Sequence, residues 1–175
     1  PGAMGWYAFV PGMECYHGVL SFNHAIHGWF EKDGRRTDYS GGKGYIEKDW
    51  GRSMPGSWIW MQSNHFDEPT ASFSGSIAKI PWFGRYFTGY LFGFYFQGKV
   101  YRFTTYTGAR VFDLRVNRDL VSFVVEDADS RMEVRGTRAE GARLMAPSRG
   151  DMTVRIMETL GSRIELRFSR KKDNR

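Results

Sequence analysis

Apolar and polar residues alternate along most of this chain, and the period is two. From Tyr16 to Phe30 the even positions carry Tyr16, Leu20, Phe22, Ile26 and Phe30, while the odd ones include His17, Ser21, Asn23 and His27. That parity belongs to strands with one buried face. Asp33-Gly34 then supplies a strong hairpin signal, so a second strand is expected to return through Asp38 towards Tyr45. Tyr90, Phe92, Phe94 and Phe96 share one face. A two-residue loop at Gln97-Gly98 sets Phe94 opposite Tyr101 and Phe92 opposite Phe103, favourable cross-strand pairs. Further strands are predicted at "LVSFVVED", "RMEVRGTR", "DMTVRIMET" and "SRIELRFS", with Gly161 turning between the last two. Candidate helices are few, and the one around "ARLMAP" is short. No linker or internal repeat interrupts the pattern. Evenly spaced short strands predict an all-β sandwich or barrel, one domain over residues 1–175.

Composition adds a cavity to that picture. The chain holds 6 Trp, 9 Tyr and 14 Phe, 17% of its residues. Such rings suit pleated surfaces and line ligand pockets. Residues 1–130 hold 13 Lys/Arg and 13 Asp/Glu, whereas residues 131–175 hold 12 and 6, so the net charge of +6 lies at the carboxy-terminal end. A basic end can touch an anionic lipid surface, although a solvated sheet edge guarded by charges is the commoner use.

Other classes fit less well. Cys15 is the single cysteine, which excludes an internal disulfide and a cysteine-rich metal site. His24 and His27, three apart, point to opposite faces of a strand, and no His-Glu-x-x-His pattern occurs, so no metal is expected. Cys15 and His17 share a strand parity, but a lone cysteine more often packs as a small hydrophobe. "KVYRFTTY" mixes bases with aromatics, yet those aromatics pair across the predicted hairpin, so nucleic acid is not expected as a partner. Neither a signal peptide nor a transmembrane helix is visible, and a cytoplasmic place, with or without membrane association, is expected. The start without Met and the end in "SRKKDNR" read as a piece of a longer protein.

The densest chemistry lies in "GYIEKDWGRSMPGSWIWMQSNHF", Gly44 to Phe66. On a strand, Tyr45, Glu47 and Asp49 share one face and Ile46, Lys48 and Trp50 the other. After Gly51 and Pro55-Gly56, the strand Trp58 to Phe66 sends Trp58, Trp60, Gln62, Asn64 and Phe66 to one side. Both sides begin apolar, so the strand is expected to be covered on both faces. Gln62 and Asn64 then become buried amides in need of partners or a ligand.

These residues resemble the tocopherol cyclase family and its bacterial relatives. The shared frame is Tyr45, Glu47, Lys48, Trp50, Gly51, Pro55, Trp58, Trp60, Gln62, Asn64 and Phe66. "MGWYAFVPGMECYHGVLS" is similar to the entry strand of the bacterial branch, and "IPWFGRYFTGYLFGFYFQGKVYRFTTYTGA" to a later hairpin. Residues 4 to 110 carry the likeness well and the rest loosely. Met54 stands where the family usually shows Phe, and Gly12 where a bulky residue is common. Family members also carry a further amino-terminal segment, whose absence would leave a site open on one side.

The resemblance implies a lipocalin-like, calycin-type antiparallel β-barrel, closed or open. It implies a cofactor-free isomerase that closes a chromanol ring on a prenylated quinol. An acid protonates the side-chain double bond, and the phenol oxygen captures the tertiary cation. That chemistry needs a protonated carboxylic acid, unreactive aromatic faces and a dry cavity. Glu47 or Asp49 would be the acid. Trp58 and Trp60, with Phe92 and Tyr106, would line the cation path. Gln62, Asn64 or His65 would hold the quinol oxygen. A non-catalytic module binding an apolar or prenyl-lipid ligand is the alternative on the same fold.

Overall fold

The computed structural model describes residues 2–82 and 84–171, apart from the side chain of Arg155. The last basic residues, within 172–175, lie outside the described residues. The chain is all-β, fourteen strands among the described residues, preceded by a 3₁₀ segment at Gly2–Phe9. The strands are β1 (Cys15–Ala25), β2 (Trp29–Lys32), β3 (Arg35–Asp38), β4 (Lys43–Gly51), β5 (Ser57–Ser63), β6 (Ser72–Trp82) and β7 (Arg85–Phe96). They continue as β8 (Lys99–Thr104), β9 (Arg110–Val116), β10 (Leu120–Glu126), β11 (Ser130–Thr137), β12 (Ala142–Ser148), β13 (Asp151–Glu158) and β14 (Arg163–Arg170).

Two four-stranded antiparallel sheets face one another. One runs β5-β6-β7-β8 and the other β14-β11-β10-β9. Parity builds the core between them. Phe73, Ile77, Phe92, Phe94 and Phe103 come from the first sheet, and Val121, Phe123, Val125, Met132 and Val134 from the second. Phe92 stacks on Phe123 at 4.9 Å between ring centroids, and Phe168 closes on Phe94 and Tyr101 at 5.3 and 4.5 Å. Aromatic pairs of this geometry add to the area term of burial. The outer face of the second sheet is charged and solvated, with Arg131 between Glu126 and Glu133.

The second face of β5–β8 is covered separately. β1 and β4 pair with each other and lie over it. Their approach depends on Gly93 of β7, where a methyl group would collide with the ring of Phe22 from β1. The β12–β13 hairpin joins this side through its tip. The Arg149 amide donates to Ser53 Oγ at 2.7 Å, and the Met54 amide donates to the Pro147 carbonyl at 3.1 Å.

The Gln97-Gly98 register is as expected, with Phe94 opposite Tyr101 and Phe92 opposite Phe103. So is the Asp33-Gly34 turn, both residues at positive φ between β2 and β3. Three expectations need correction. Tyr16 to Phe30 is not one strand, because the chain is interrupted before β2 at positive-φ Gly28, but the return is as expected, β3 pairing with β2 and β4 with β1. A bulge between Val19 and Ser21 also turns Leu20 out to solvent. "ARLMAP" is the strand β12, since an antiparallel partner outweighs the weak helical propensity of so short a segment. Gly161 lies in the bend between β13 and β14, as expected, and these strands pair with β12 and β11. The antiparallel sheets fit the expected all-β class, and none of the described sheets closes into a barrel.

Candidate active site

Between the second face of β5–β8 and its cover lies a cavity of about 210 Å³. Trp58 and Trp60 of β5, Ser76, Ala78 and Ile80 of β6, and Leu91 of β7 form the sheet side. Met4, Met13, Cys15 and Met54 put four sulfur side chains on the opposite wall. The polar groups gather at β1 and β4, where His17, Glu47 and Asp49 reach the cavity, and Glu158 joins them from β13.

Strand register explains the polar cluster. His17 faces Asp49 across β1–β4, and Val19 faces Glu47. His17 Nδ1 stands 2.7 Å from Asp49 Oδ1 and 3.6 Å from Glu47 Oε1. Glu47 Oε2 accepts the Tyr45 hydroxyl and, at 3.3 Å, that of Ser74. The His17 and Glu47 side chains are 14% and 10% exposed, and that of Asp49 is 33%. On the outer face of the pair, Tyr16 stacks on Trp50 at 5.5 Å.

Electrostatics follow from this packing. Burial alone would lower the His17 pKa. The hydrogen bond that its Nδ1–H donates to Asp49 and the charges of Glu47 and Asp49 oppose it, and the net shift is upward from 6.5. Burial first, and the charges of Glu47 and Asp49 second, raise Glu158. Burial, then the bond to Glu47, raise the Tyr45 phenol. Burial, then Asp49, push the Cys15 thiol up to about 11, so it is a protonated thiol at neutral pH and a poor nucleophile.

The ligand atoms of His17, Glu47 and Asp49 lie within 4.8 Å of one another, a donor set that also suits a divalent cation. The same Nδ1 makes the hydrogen bond to Asp49, so a cation would have to take the place of that proton.

The structure brings Glu47, Asp49, Trp58 and Trp60 to this one cavity. Gln62 follows Trp60 on the same face of β5, opposite Ser74, and its buried Nε2 has no hydrogen-bond partner among the described residues. β5 ends at Ser63, before Asn64. Asn64 is 4% exposed and donates to the Lys43 carbonyl at 3.4 Å, whereas His65 is exposed. Phe66 packs against the main core, not beside the tryptophans. Phe92 sits on the opposite face of the sheet, in the core. Tyr106 donates to the Ala3 carbonyl at 2.8 Å and meets Tyr7 edge-on.

His17 and Glu158 were absent from the sequence-predicted set. Their parity fits a cavity face, but only the pairing of β1 with β4 joins His17 to the carboxylates. Met54 lines the wall at 3.9 Å from Cys15 Sγ.

Comparison with known proteins supplies what geometry alone does not. The family described as "Tocopherol cyclase-like" matches residues 2–175. "Tocopherol cyclase, chloroplastic" from Zea mays is 30% identical over 149 residues, which are 82% of this chain and 31% of the maize protein. "Probable tocopherol cyclase, chloroplastic" from Oryza sativa subsp. japonica is 32% identical over 114 residues, 63% of this chain and 24% of the rice protein. The chain thus spans about a third or less of these relatives. No solved structure matches it.

Proposed function

Because the chain belongs to the tocopherol cyclase-like family, we propose that its cavity closes a chromanol ring on a prenylated quinol. One observation carries the reading: Glu47 and Asp49 face the same cavity as Trp58 and Trp60. One carboxyl group of the pair protonates the side-chain double bond. The tryptophan faces stabilise the tertiary cation without reacting with it. The phenol oxygen then attacks, and the second carboxylate takes its proton. Apolar walls keep water, the competing nucleophile, away.

The cavity's size fits the aromatic end of such a substrate. It exceeds the roughly 150 Å³ of an apolar cavity that admits benzene. A substituted quinol ring therefore fills it, and the prenyl tail runs towards the mouth. In this reading the open sheets are a lipocalin-like architecture without closure. A membrane supplies such a substrate, and the β12–β13 hairpin exposes Met145, Met152, Val154 and Met157 beside Arg143 and Arg149. Among the described residues no helix is long and apolar enough to cross a membrane. We read the contact as peripheral, and cosedimentation with anionic vesicles measures it.

The test is incubation with a prenylated hydroquinone, followed by chromatography and mass measurement. A product of unchanged mass with the chromanol retention time is expected. Glu47→Gln and Asp49→Asn are expected to abolish it while the proteins remain folded. If both variants cyclise at the wild-type rate, the acid assignment is wrong. Tight binding without product would instead mark a lipid-binding module.

A further inference from the structure

Ring closure leaves a proton in the wrong place. One proton enters the substrate at carbon and another leaves at oxygen, so the overall reaction is an isomerisation. The group that gave its proton ends turnover as an anion, and the group that accepted one ends protonated. Before the next turnover, that proton must cross from the second group to the first.

We infer that His17 carries this proton back, with Nδ1 relaying it from Glu47 to Asp49. The inference rests on the chromanol-forming reading and deepens it. Glu47 is built as the acceptor. Its carboxylate already accepts hydroxyl hydrogen bonds from Tyr45 and Ser74, so it is placed to take a further hydroxyl proton. Asp49 is the more exposed carboxyl and makes the shorter bond to the ring. A single imidazole nitrogen hydrogen-bonds Asp49 at 2.7 Å and stands 3.6 Å from Glu47, an ion-pair distance that a small ring rotation would shorten. The backbone amide of His17, donating to Met4 Sδ at 3.1 Å, holds that strand position against the amino-terminal segment. The neighbouring thiol cannot substitute, because Cys15 keeps its proton.

The cycle balances. The Asp49 carboxyl proton forms a C–H bond with the alkene π electrons, leaving Asp49 ionised and the tertiary carbon cationic. A phenol oxygen lone pair forms the C–O bond, and the O–H bond breaks towards Glu47. Glu47 then protonates the imidazole, and imidazolium returns the proton to Asp49. Nothing is oxidised or consumed. His17 acts through the carboxylates, as a positioning and relay residue.

The charged groups at the His17 ring are Asp49 and Glu47 from β4, while Glu158 from β13, with Glu14 and Cys15, lines the same cavity. Asp49 contributes the closest charge, so an amide there must change how the ring titrates.

Two variants and one titration test the relay. In His17→Ala and His17→Gln, kcat should fall roughly 100-fold, the lower range for a lost acid–base group, with KM little changed. The acid limb of the wild-type pH profile, where a protonated His17 can no longer accept from Glu47, should move to lower pH in both. Added imidazole should rescue His17→Ala. Imidazole ¹⁵N NMR should show His17 titrating above 6.5 in the wild type, a readout that needs no variant, and lower in Asp49→Asn shown to be folded by its amide spectrum. If the wild type cyclises and His17→Ala keeps its rate and pH profile, the relay alone is overturned. An unchanged His17 titration in Asp49→Asn overturns it as well. A wild type that forms no chromanol overturns the reading beneath it, and the relay with it.

Discussion

The ring of Phe22 lies over Gly93, in the space that a side chain there would need. The contact joins β1 to β7, and with it the acid-bearing strand pair to the sheet that carries the tryptophans. Gly93→Ala is therefore expected to lift β1 and β4 away from β5–β8. Overpacking of this kind typically costs about 1–3 kcal/mol, read as a lower midpoint of thermal or urea unfolding. Activity should fall further than stability, because the two walls of the cavity part. An alanine variant with wild-type stability and rate would show that this contact does not set the spacing.

Stability should also carry the signature of His17. Its folded pKa lies above the unfolded value of 6.5, because the bond to Asp49 and the charges of Glu47 and Asp49 outweigh burial. Such a group contributes its stabilisation fully below the unfolded pKa and loses it as pH rises through the folded one. The difference in melting temperature between wild type and His17→Gln is expected to be larger at pH 6 than at pH 8. Thermal scans across that range measure it, and a difference that grows with pH would contradict the pairing.

Trp58 separates two ways of losing activity. If its face stabilises the cation, Trp58→Leu removes an interaction of about 0.5–2 kcal/mol, roughly a 2- to 30-fold loss of rate. The smaller side chain also admits water, which should convert part of the product to a tertiary alcohol. Mass spectrometry shows that product as one added water. Slower cyclisation with no hydrated product would mean that Trp58 is not what keeps water out.

The donor set of His17, Glu47 and Asp49 makes a chelator experiment informative. Cyclisation by protonation needs no cation, so treatment with EDTA should leave the rate unchanged. Added Zn²⁺ should inhibit, because it competes for the Nδ1 that the relay uses. Loss of activity on chelation, restored by one metal, would replace the proton-relay mechanism.

Much of this fold could be read from residue parity. Phe92 and Phe103 were paired by nothing more than a two-residue turn and alternation, and the structure has the same register. Parity likewise put Glu47 and Asp49 on one face and separated them from Lys48. What parity could not supply was the identity of distant partners. β1 and β4 are the far end of the hairpin that turns at Asp33-Gly34, so whether His17 meets Asp49, 32 residues away, depends on register shifts and on the interruption at Gly28 that parity does not show. The bulge that exposes Leu20 was hidden for the same reason, because a shift of one residue costs little where a strand has a single partner. Phe92 illustrates the remaining ambiguity. Alternation shows that a face is apolar, but not which of two apolar compartments it enters.

The sheet β5–β8 separates those compartments, and this bears on how the protein can change. Ile59 and Ile77 serve the core, while their neighbours Trp58, Trp60, Ser76 and Ala78 serve the cavity. Adjacent codons therefore answer to different selective pressures. Substrate preference can drift through one set of positions while the other stays fixed by stability. A library restricted to 58, 60, 76, 78, 80 and 91 would search ligand shape on a scaffold that it leaves intact.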